Sequence, residues 1–467
     1  MQNQEVPETR QKETLGSDTE GVALLTGDPK KAIMKLSGPM IVAMLLMSTY
    51  NIVNAIWVAG LGADALAAIG FITPLFMIFV GLGVGLGAGV ASVISRRIGA
   101  GDRDGANHAA ACGILITIVL SAILTVPLII FAEPVALLFG AGDTAGLAAE
   151  YGRVVFLGLI FILFTNIGYA ILRAEGDTKR AMYVMGASSV LNMVLDPLLI
   201  YTAGMGIAGA AWGVLISLVV VTLVLLYWFF IKRDTYISFS RASFHAEKKT
   251  LDDILGVGLP ASLEFFLMSI LAIILNALLV ITAGTDAVAV YTAGWRVVIF
   301  AIIPIVAIGT SVISVAGAAY GARKYEKIRI SHSFSVVFGV AIALAISAVT
   351  WVFSGQIATI FSYSAESIHL APEIAAFLAT MCLFYPFVPP GLMSSSVFQA
   401  TGKGMTSLAI SVFRNLVFIA LFAYLLGIVL GYGEHGVWWG IVAGDICGGT
   451  VAFLWARAYI ARLIRNE

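Results

Sequence analysis

The segment GPMIVAMLLMS, residues 38–48, returns near the middle of the chain as LPASLEFFLMS, residues 259–269, with Pro39 aligned to Pro260 and Leu-Met-Ser closing both copies. Each copy opens a long apolar run close to the roughly 20 residues a helix needs to cross the hydrocarbon core. Reading outward from the pair, the correspondence persists. RIGAGDRDGA (97–106) resembles AAYGARKYEK (318–327), RAEGDTKRAM (173–182) resembles QATGKGMTSL (399–408), and GAAWG (209–213) resembles GVWWG (436–440). The chain is therefore a duplication, and its unit is a bundle of apolar helices.

Composition places that duplication in a membrane. Of 467 residues, 60% are hydrophobic and only 12% charged, about half the charged share of a soluble protein. Twelve spans are predicted, at 33–57, 69–95, 108–131, 150–172, 181–202, 208–231, 254–282, 288–319, 331–354, 373–399, 405–428 and 436–460. The fold class is an all-α polytopic membrane protein, twelve transmembrane helices in two six-helix bundles. An even number of spans per unit inserts both halves the same way, related by an axis along the membrane normal, as in secondary transporters that bind substrate between their halves. The expected division is a disordered tail 1–26, an N-terminal bundle 27–231, a linker 232–253 and a C-terminal bundle 254–467.

The connections alternate in charge. Lys30, Lys31, Lys35, Arg96, Arg97, Arg103, Arg173, Lys179, Arg180, Arg323, Lys324, Lys327, Arg329 and Lys403 fall on one set, together with the 232–253 loop. The other set, around Asp64, 133–150, Asp286, 366–373 and Glu434, holds acids without Lys or Arg. The positive-inside rule puts both termini in the cytoplasm and the chain in the cell membrane. Net charge is zero, so nucleic acid is not an expected partner. Cys112, Cys382 and Cys447 stand alone, and the histidines (His108, His245, His332, His369, His435) fall in loops or near span ends. No disulfide framework, zinc spacing or haem site is expected, and no cofactor beyond a coupling Na+ or H+. The tail 1–26 has no hydrophobic segment of signal-peptide type. GLGVGLGAGV (81–90) mimics a dinucleotide-binding glycine pattern but lies inside a span, where close helix packing is the reading.

Against this apolar background Asp196 stands out. It lies about 15 residues into span five, in the outer half of the bilayer, with no Lys or Arg within a turn. An uncompensated carboxylate at such a depth costs on the order of 2.5–3.5 kcal/mol on insertion scales and marks a functional site by default. Asn192 shares its helical face, Asn54 reaches similar depth on span one, and Pro197 removes an amide that would bond the Met193 carbonyl. An oxygen-rich cluster of this kind suits a proton or a hard cation, with Asp196 as the possible Na+ ligand.

In the C-terminal half Glu264, Arg296, Arg414 and Asp445 lie about nine or ten residues into their spans. Two acids and two bases at one depth are expected to pair with one another, with Glu264 the member nearest a cleft. Met47 and Asn51 on span one, Met268 on span seven, and Tyr385 and Gln399 on span ten are the remaining cleft candidates, because flexible Met and Tyr surfaces suit varied apolar ligands. Pro39 and Pro260 are expected to bend their spans, and Pro386 and Pro389 in FYPFVPPG (384–391) to break span ten.

With these motifs on the page, YNIVNAIWVAGLG (50–62), SRRIGAGDRDGA (95–106), ILRAEGDTKR (171–180) and NMVLDP (192–197) followed by GAAWG resemble the multidrug and toxic compound extrusion (MATE) transporters, most closely their prokaryotic branch that includes the DNA-damage-inducible protein F group. The resemblance spans about residues 25–460. It implies a cleft between two bundles, a cation site at Asp196, Asn192 and Asn54 supported by Tyr151 and Asn166, and export of small organic compounds against Na+ or H+ by a monomer. Two positions depart from the pattern: the usual span-one aspartate is Asn54, and a frequent span-six threonine is Val214. The expected activity is efflux of amphipathic, cationic or neutral-aromatic compounds by alternating access. A lipid-linked oligosaccharide flippase is the alternative, and would need several cations in its cavity for the pyrophosphate. An enzyme is not expected, since no Asp-rich or His-Glu-x-x-His motif occurs.

Overall fold

A computed structural model describes residues 19–138, 140–240, 243–244, 247–362 and 368–466. Among these residues there is no strand, and the long apolar helices number eleven, or twelve with one bent pair. Spans one to six are Pro29–Ala59, Ala67–Gly99, Arg103–Ile130, the pair Gly142–Leu157 and Leu159–Ala174, Thr178–Thr202 and Gly206–Lys232. Spans seven to twelve are Lys248–Ala283, Thr285–Gly321, Tyr325–Val352, Ile368–Ala400, Gly404–Val429 and Gly433–Arg465. Helices are the required form here, since they satisfy their own backbone groups in hydrocarbon. At the basic end of the N-terminal half the starts are capped by Asp28, Asp102 and Asp177, whose carboxylates accept from Lys30, Gly105 and Arg180 backbone N–H groups.

The halves meet where the repeat brings equivalent helices together. Span two packs on spans seven and eight, and span eight packs on span one. At the basic end the contact is reciprocal: a β-carbon on Gly99 would strike the Ala318 carbonyl, and one on Gly321 would strike the Arg96 carbonyl. The same pair of positions thus serves in both copies, as an axis along the normal demands. Further up, the span-two glycines do what close packing requires, with Gly85 against Ser262 and Gly89 against the Ile254 carbonyl. Ser37 donates to Ser311 (3.2 Å) and Ser92 to the carbonyls of Gln399 (2.5 Å) and Ala400 (3.3 Å), tying the halves on the basic side.

Several expectations are corrected. Residues 20–26, read as disordered tail, form a helix with Val22 and Leu25 buried; residues 1–18 lie outside the described part. The linker is not a free loop. Asp234 takes two bonds from Arg180, Glu175 accepts from the Ile237 N–H, and Asn107 accepts from the Ser238 N–H, so this segment docks on the N-terminal half. Its last residues, from Lys248, already belong to span seven. Pro39 and Pro260 sit inside uninterrupted helices, whereas span ten breaks as expected: a helix ends at Met381, a 3-10 turn holds Tyr385–Phe387 with Pro386, and a new helix begins at Val388 beside Pro389. Span four bends by 43° at Gly158, which no proline announces. The proline-following stretch Leu198–Thr202 winds into a π-helical turn.

Candidate functional site

Span five delivers Asp196 to the interior of the N-terminal half with no exposed surface. Asn54 Nδ2 on span one donates to Asp196 Oδ2 at 2.6 Å. The other oxygen, Oδ1, is buried without a hydrogen-bond partner. It rests on Gly213 of span six, where a β-carbon would overlap it. One turn back, Asn192 spends its Nδ2 on the Ser188 carbonyl (3.1 Å) and leaves its own Oδ1 buried and unpartnered. Two orphaned acceptor oxygens one turn apart on span five are expensive in a protein interior, about 1–3 kcal/mol each. They fit a ligand that brings positive charge or a proton, and the donor set is all oxygen, as a hard cation prefers.

The rings of Tyr50 and Tyr151 lie within electrostatic reach of the Asp196 carboxylate. On the acidic side the cluster is covered by Trp57 and Tyr201, whose rings meet edge-on at 6.3 Å and whose Tyr201 hydroxyl donates to the Trp57 carbonyl at 2.5 Å. Of the expected set, Asn54, Asn192, Asp196 and Tyr151 come together. Asn166 does not: its amide donates to the Ile162 carbonyl (2.8 Å) and packs on Gly83 of span two. Tyr50 and Gly213 carry no marker in the sequence beyond the motifs that contain them.

A second stripe of span one continues the face by which this helix meets the C-terminal half. Ile33 and Leu36 belong to the core of the C-terminal half. Asn51 lies about five turns beyond Ile33 and Met47 about three beyond Leu36, on the same face, and both are exposed. On span eight Ala307 packs in the core of the N-terminal half, and Arg296 stands about three turns from it on that face. Arg296 is exposed, with no ion pair described. A cation about 16 Å from the helix start is tolerated when it faces water or the bundle interior. Met268, exposed, follows one turn after Phe265, which touches Gly81 of span two.

The expected quartet of charges is thereby split. Arg414 and Asp445 pair, Nε to Oδ1 at 3.7 Å, both buried. Glu264 is held instead by Ser407 (2.7 Å) and Gln399 (3.4 Å), and Gln399 also donates to Ser407. Arg296 joins neither. Glu264 stays within electrostatic reach of Arg414, so three of the four share one region. Tyr385 is also corrected: it is fully buried in the core of the C-terminal half and lines no cleft.

An all-helical bundle duplicated along one axis, with a buried carboxylate that enters no ion pair among the described residues, has the build of a secondary transporter. Comparison with known proteins names the group. The family model MatE matches residues 39–198 and 260–425, one copy per half, each opening on the aligned proline. The chain belongs to the MatE family of MATE transporters. It is 30% identical over 422 residues to the multidrug export protein MepA of Staphylococcus saprophyticus, covering 89% of this chain and 91% of the relative. MepA of Staphylococcus aureus strain MSSA476 is 27% identical over 420 residues, with coverage of 89% and 91%. Among solved structures, a multidrug resistance MATE transporter of the MOP superfamily in an outward-facing conformation is 41% identical with a TM-score of 0.93, covering 96% of this chain and 100% of that one. A MOP superfamily transporter from Pyrococcus furiosus, described by a reverse polarity of its binding pocket, is 41% identical with a TM-score of 0.92, covering 96% and 99%.

Proposed function

We propose that this membrane transporter is a cation-coupled antiporter that exports amphipathic small organic compounds across the cell membrane, with Asp196 as its coupling group. The observation that carries the reading is the Asp196 cluster, a buried carboxylate with one oxygen held by an amide and the other unpartnered, with a second orphan oxygen on Asn192 one turn back. One Na+ or one proton neutralises it. Because Asn54 takes the place of a second acid, the site holds at most one negative charge, so the two ions compete and one cation moves per cycle.

Coupling runs through span one. Its Tyr50 and Asn54 look toward Asp196, while Met47 and Asn51 one position round the helix look into the cleft. Neutralising Asp196 removes the charge that Asn54 holds, which frees span one to shift and changes the cleft face it presents. In the orientation the charged loops favour, the basic end is cytoplasmic with both termini. The ties between Ser92 and Gln399 and between Gly99 and Gly321 then close the inner side, and the cleft opens outward. The protein acts as a monomer in the bilayer, catalyses no chemistry, and fits the DNA-damage-inducible protein F-like branch.

Substrate choice follows the cleft wall. Met47 and Met268 give an adaptable apolar surface, and the unpaired Arg296 adds positive charge, which favours neutral-aromatic or anionic amphiphiles over cations. The flippase alternative is less well supported, since Arg414 is already committed to Asp445 and leaves Arg296 alone to meet a pyrophosphate. Purified protein in liposomes, loaded with fluorescent dyes of differing charge and given a Na+ or a pH gradient separately, tests the reading. Gradient-driven dye movement that either ion supports is expected. Movement of a lipid-linked sugar without dye movement would favour the alternative.

A further inference from the structure

At the basic end, where the halves touch, a cavity of about 680 Å³ is lined by Arg96 and Arg97 of span two, Lys249 and Asp253 of span seven, and Arg323 and Tyr325 at the turn between spans eight and nine. Four cations face one carboxylate across the seam. Arg97 also meets Asp102 at 2.8 Å, a half-exposed pair of small worth. Arg96 donates its Nε to the Ser92 carbonyl at 3.2 Å, and its guanidinium lies against Gly402, which keeps Nη2 out of water.

The repeat supplies a second, independent observation. Gly99 and Gly321 are equivalent, so Gly101 and Arg323 are equivalent too. Both have left-handed backbones, φ +73° and +55°. A glycine takes this conformation freely, and an arginine takes it at a cost. One residue on, the Asp102 helix cap has become Lys324, which makes no side-chain cap bond. Asp177 has likewise become Lys403, again without a cap bond. The C-terminal half has given up an unstrained turn and two caps in favour of cations. Loop charges that merely orient a chain in the membrane have no reason to converge on an inter-half cavity.

We infer that this seam cavity binds a phosphate-class anion, either the headgroup phosphate of an anionic lipid or a soluble phosphate, and that the bound anion clamps the basic end shut. Guanidinium forks match phosphate oxygens in pairs. The ligand would draw Arg96 and Arg97 of one half and Arg323 and Lys249 of the other onto a single anion, so it binds the closed seam more tightly than an open one and shifts the population accordingly. The clamp rests on the alternating-access reading above; the binding site does not.

The test uses the full chain in discs of neutral phosphatidylcholine, with Cys112, Cys382 and Cys447 replaced by alanine and Ser92→Cys placed in the closed seam. Maleimide labelling of that cysteine reports opening of the basic end, and the thermal midpoint reports binding. Inorganic phosphate, against chloride at matched ionic strength, is expected to raise the midpoint and to slow labelling roughly tenfold at ten times its dissociation constant. Arg323→Gly, which also relaxes the backbone, is expected to remove both effects. Phosphatidylglycerol in the discs that reproduces the protection, leaving added phosphate without effect, identifies a lipid headgroup; protection by phosphate alone identifies a soluble anion. A raised midpoint with unchanged labelling overturns the clamp and keeps the site. No response to phosphate or to phosphatidylglycerol overturns both, and cation-driven export measured with the same protein reconstituted in liposomes separates that failure from failure of the transport reading.

Discussion

Asp196 in one half and Asp445 in the other are both aspartates sealed inside helices of a duplicated bundle, and they differ in whether a cation of the chain answers them. Asp445 has Arg414 at 3.7 Å, its charge answered from within the chain although its Oδ2 is also buried without a hydrogen bond. Asp196 has an amide on one oxygen and nothing on the other. Glu264 falls with the first kind, held by Ser407 and Gln399. A buried acid that the protein satisfies is part of the scaffold; a buried acid left unanswered waits for a mobile charge. The duplication thus kept one architecture and gave the halves different work.

The largest effect expected from breaking this contrast is at the coupling acid. Asp196→Asn removes the carboxylate of the cluster and is expected to reduce gradient-driven export to the level of empty liposomes while the protein still folds, because the cost of burying a charge is gone. Export at the wild-type rate with normal ion dependence would move the coupling role elsewhere.

The paired acid is expected to answer differently. Asp445→Asn or Arg414→Met alone leaves an uncompensated buried charge and is expected to destabilise by about 3–5 kcal/mol, read as a lowered thermal midpoint. The double change Asp445→Leu with Arg414→Met is expected to recover most of that loss. Export per folded molecule is expected to persist throughout, and its loss in the double variant would give the pair a transport role.

Arg296→Gln is a smaller change, altering the cleft charge without touching either acid. It is expected to shift preference toward cationic dyes severalfold, measured as relative export rates, with ion dependence unchanged. Asn54→Asp sharpens the comparison from the other side. A second carboxylate beside Asp196 is expected to raise Na+ affinity and to add a second titration to the pH profile.

The smallest expected effect concerns a third buried acid outside the spans. Burial pushes the Glu175 carboxyl up from 4.5 to about 8, against the Ile237 N–H that favours its charged form. The folded state therefore holds a proton there that the unfolded state has already lost between those two values. Stability is expected to fall as pH rises from about 4.5 through 8, and Glu175→Gln is expected to flatten that slope in thermal denaturation.

Hydropathy and the repeat carried the architecture in the sequence, since span length and charge alternation are one-dimensional signals. Pro386 and Pro389 announced the break in span ten because proline cannot continue the hydrogen-bond ladder. The bend at Gly158 lacked any such marker. The helix at 20–26 was hidden in polar sequence because it is held by docking against the turn at Glu175–Gly176, where Gly21 packs on backbone. Rise per residue gave the depth of Arg296 and Asp445 but not their angle around the axis, so a charge quartet was expected where a pair and a lone cleft arginine stand. Asp196 was legible because a lone acid in an apolar run is conspicuous, whereas Gly213 matters through the β-carbon it lacks.

The central claim is that Asp196 alone carries an exchangeable charge answered by either Na+ or a proton, and proton release on Na+ addition reads it directly. Purified protein in weakly buffered solution near the midpoint of its own titration, with a pH indicator present, is expected to release protons as Na+ is added, saturating at no more than one per molecule. Choline is expected to release none, and Asp196→Asn is expected to abolish the Na+ signal. Undiminished release from Asp196→Asn, or Na+ binding with no proton release at any pH, would contradict the account.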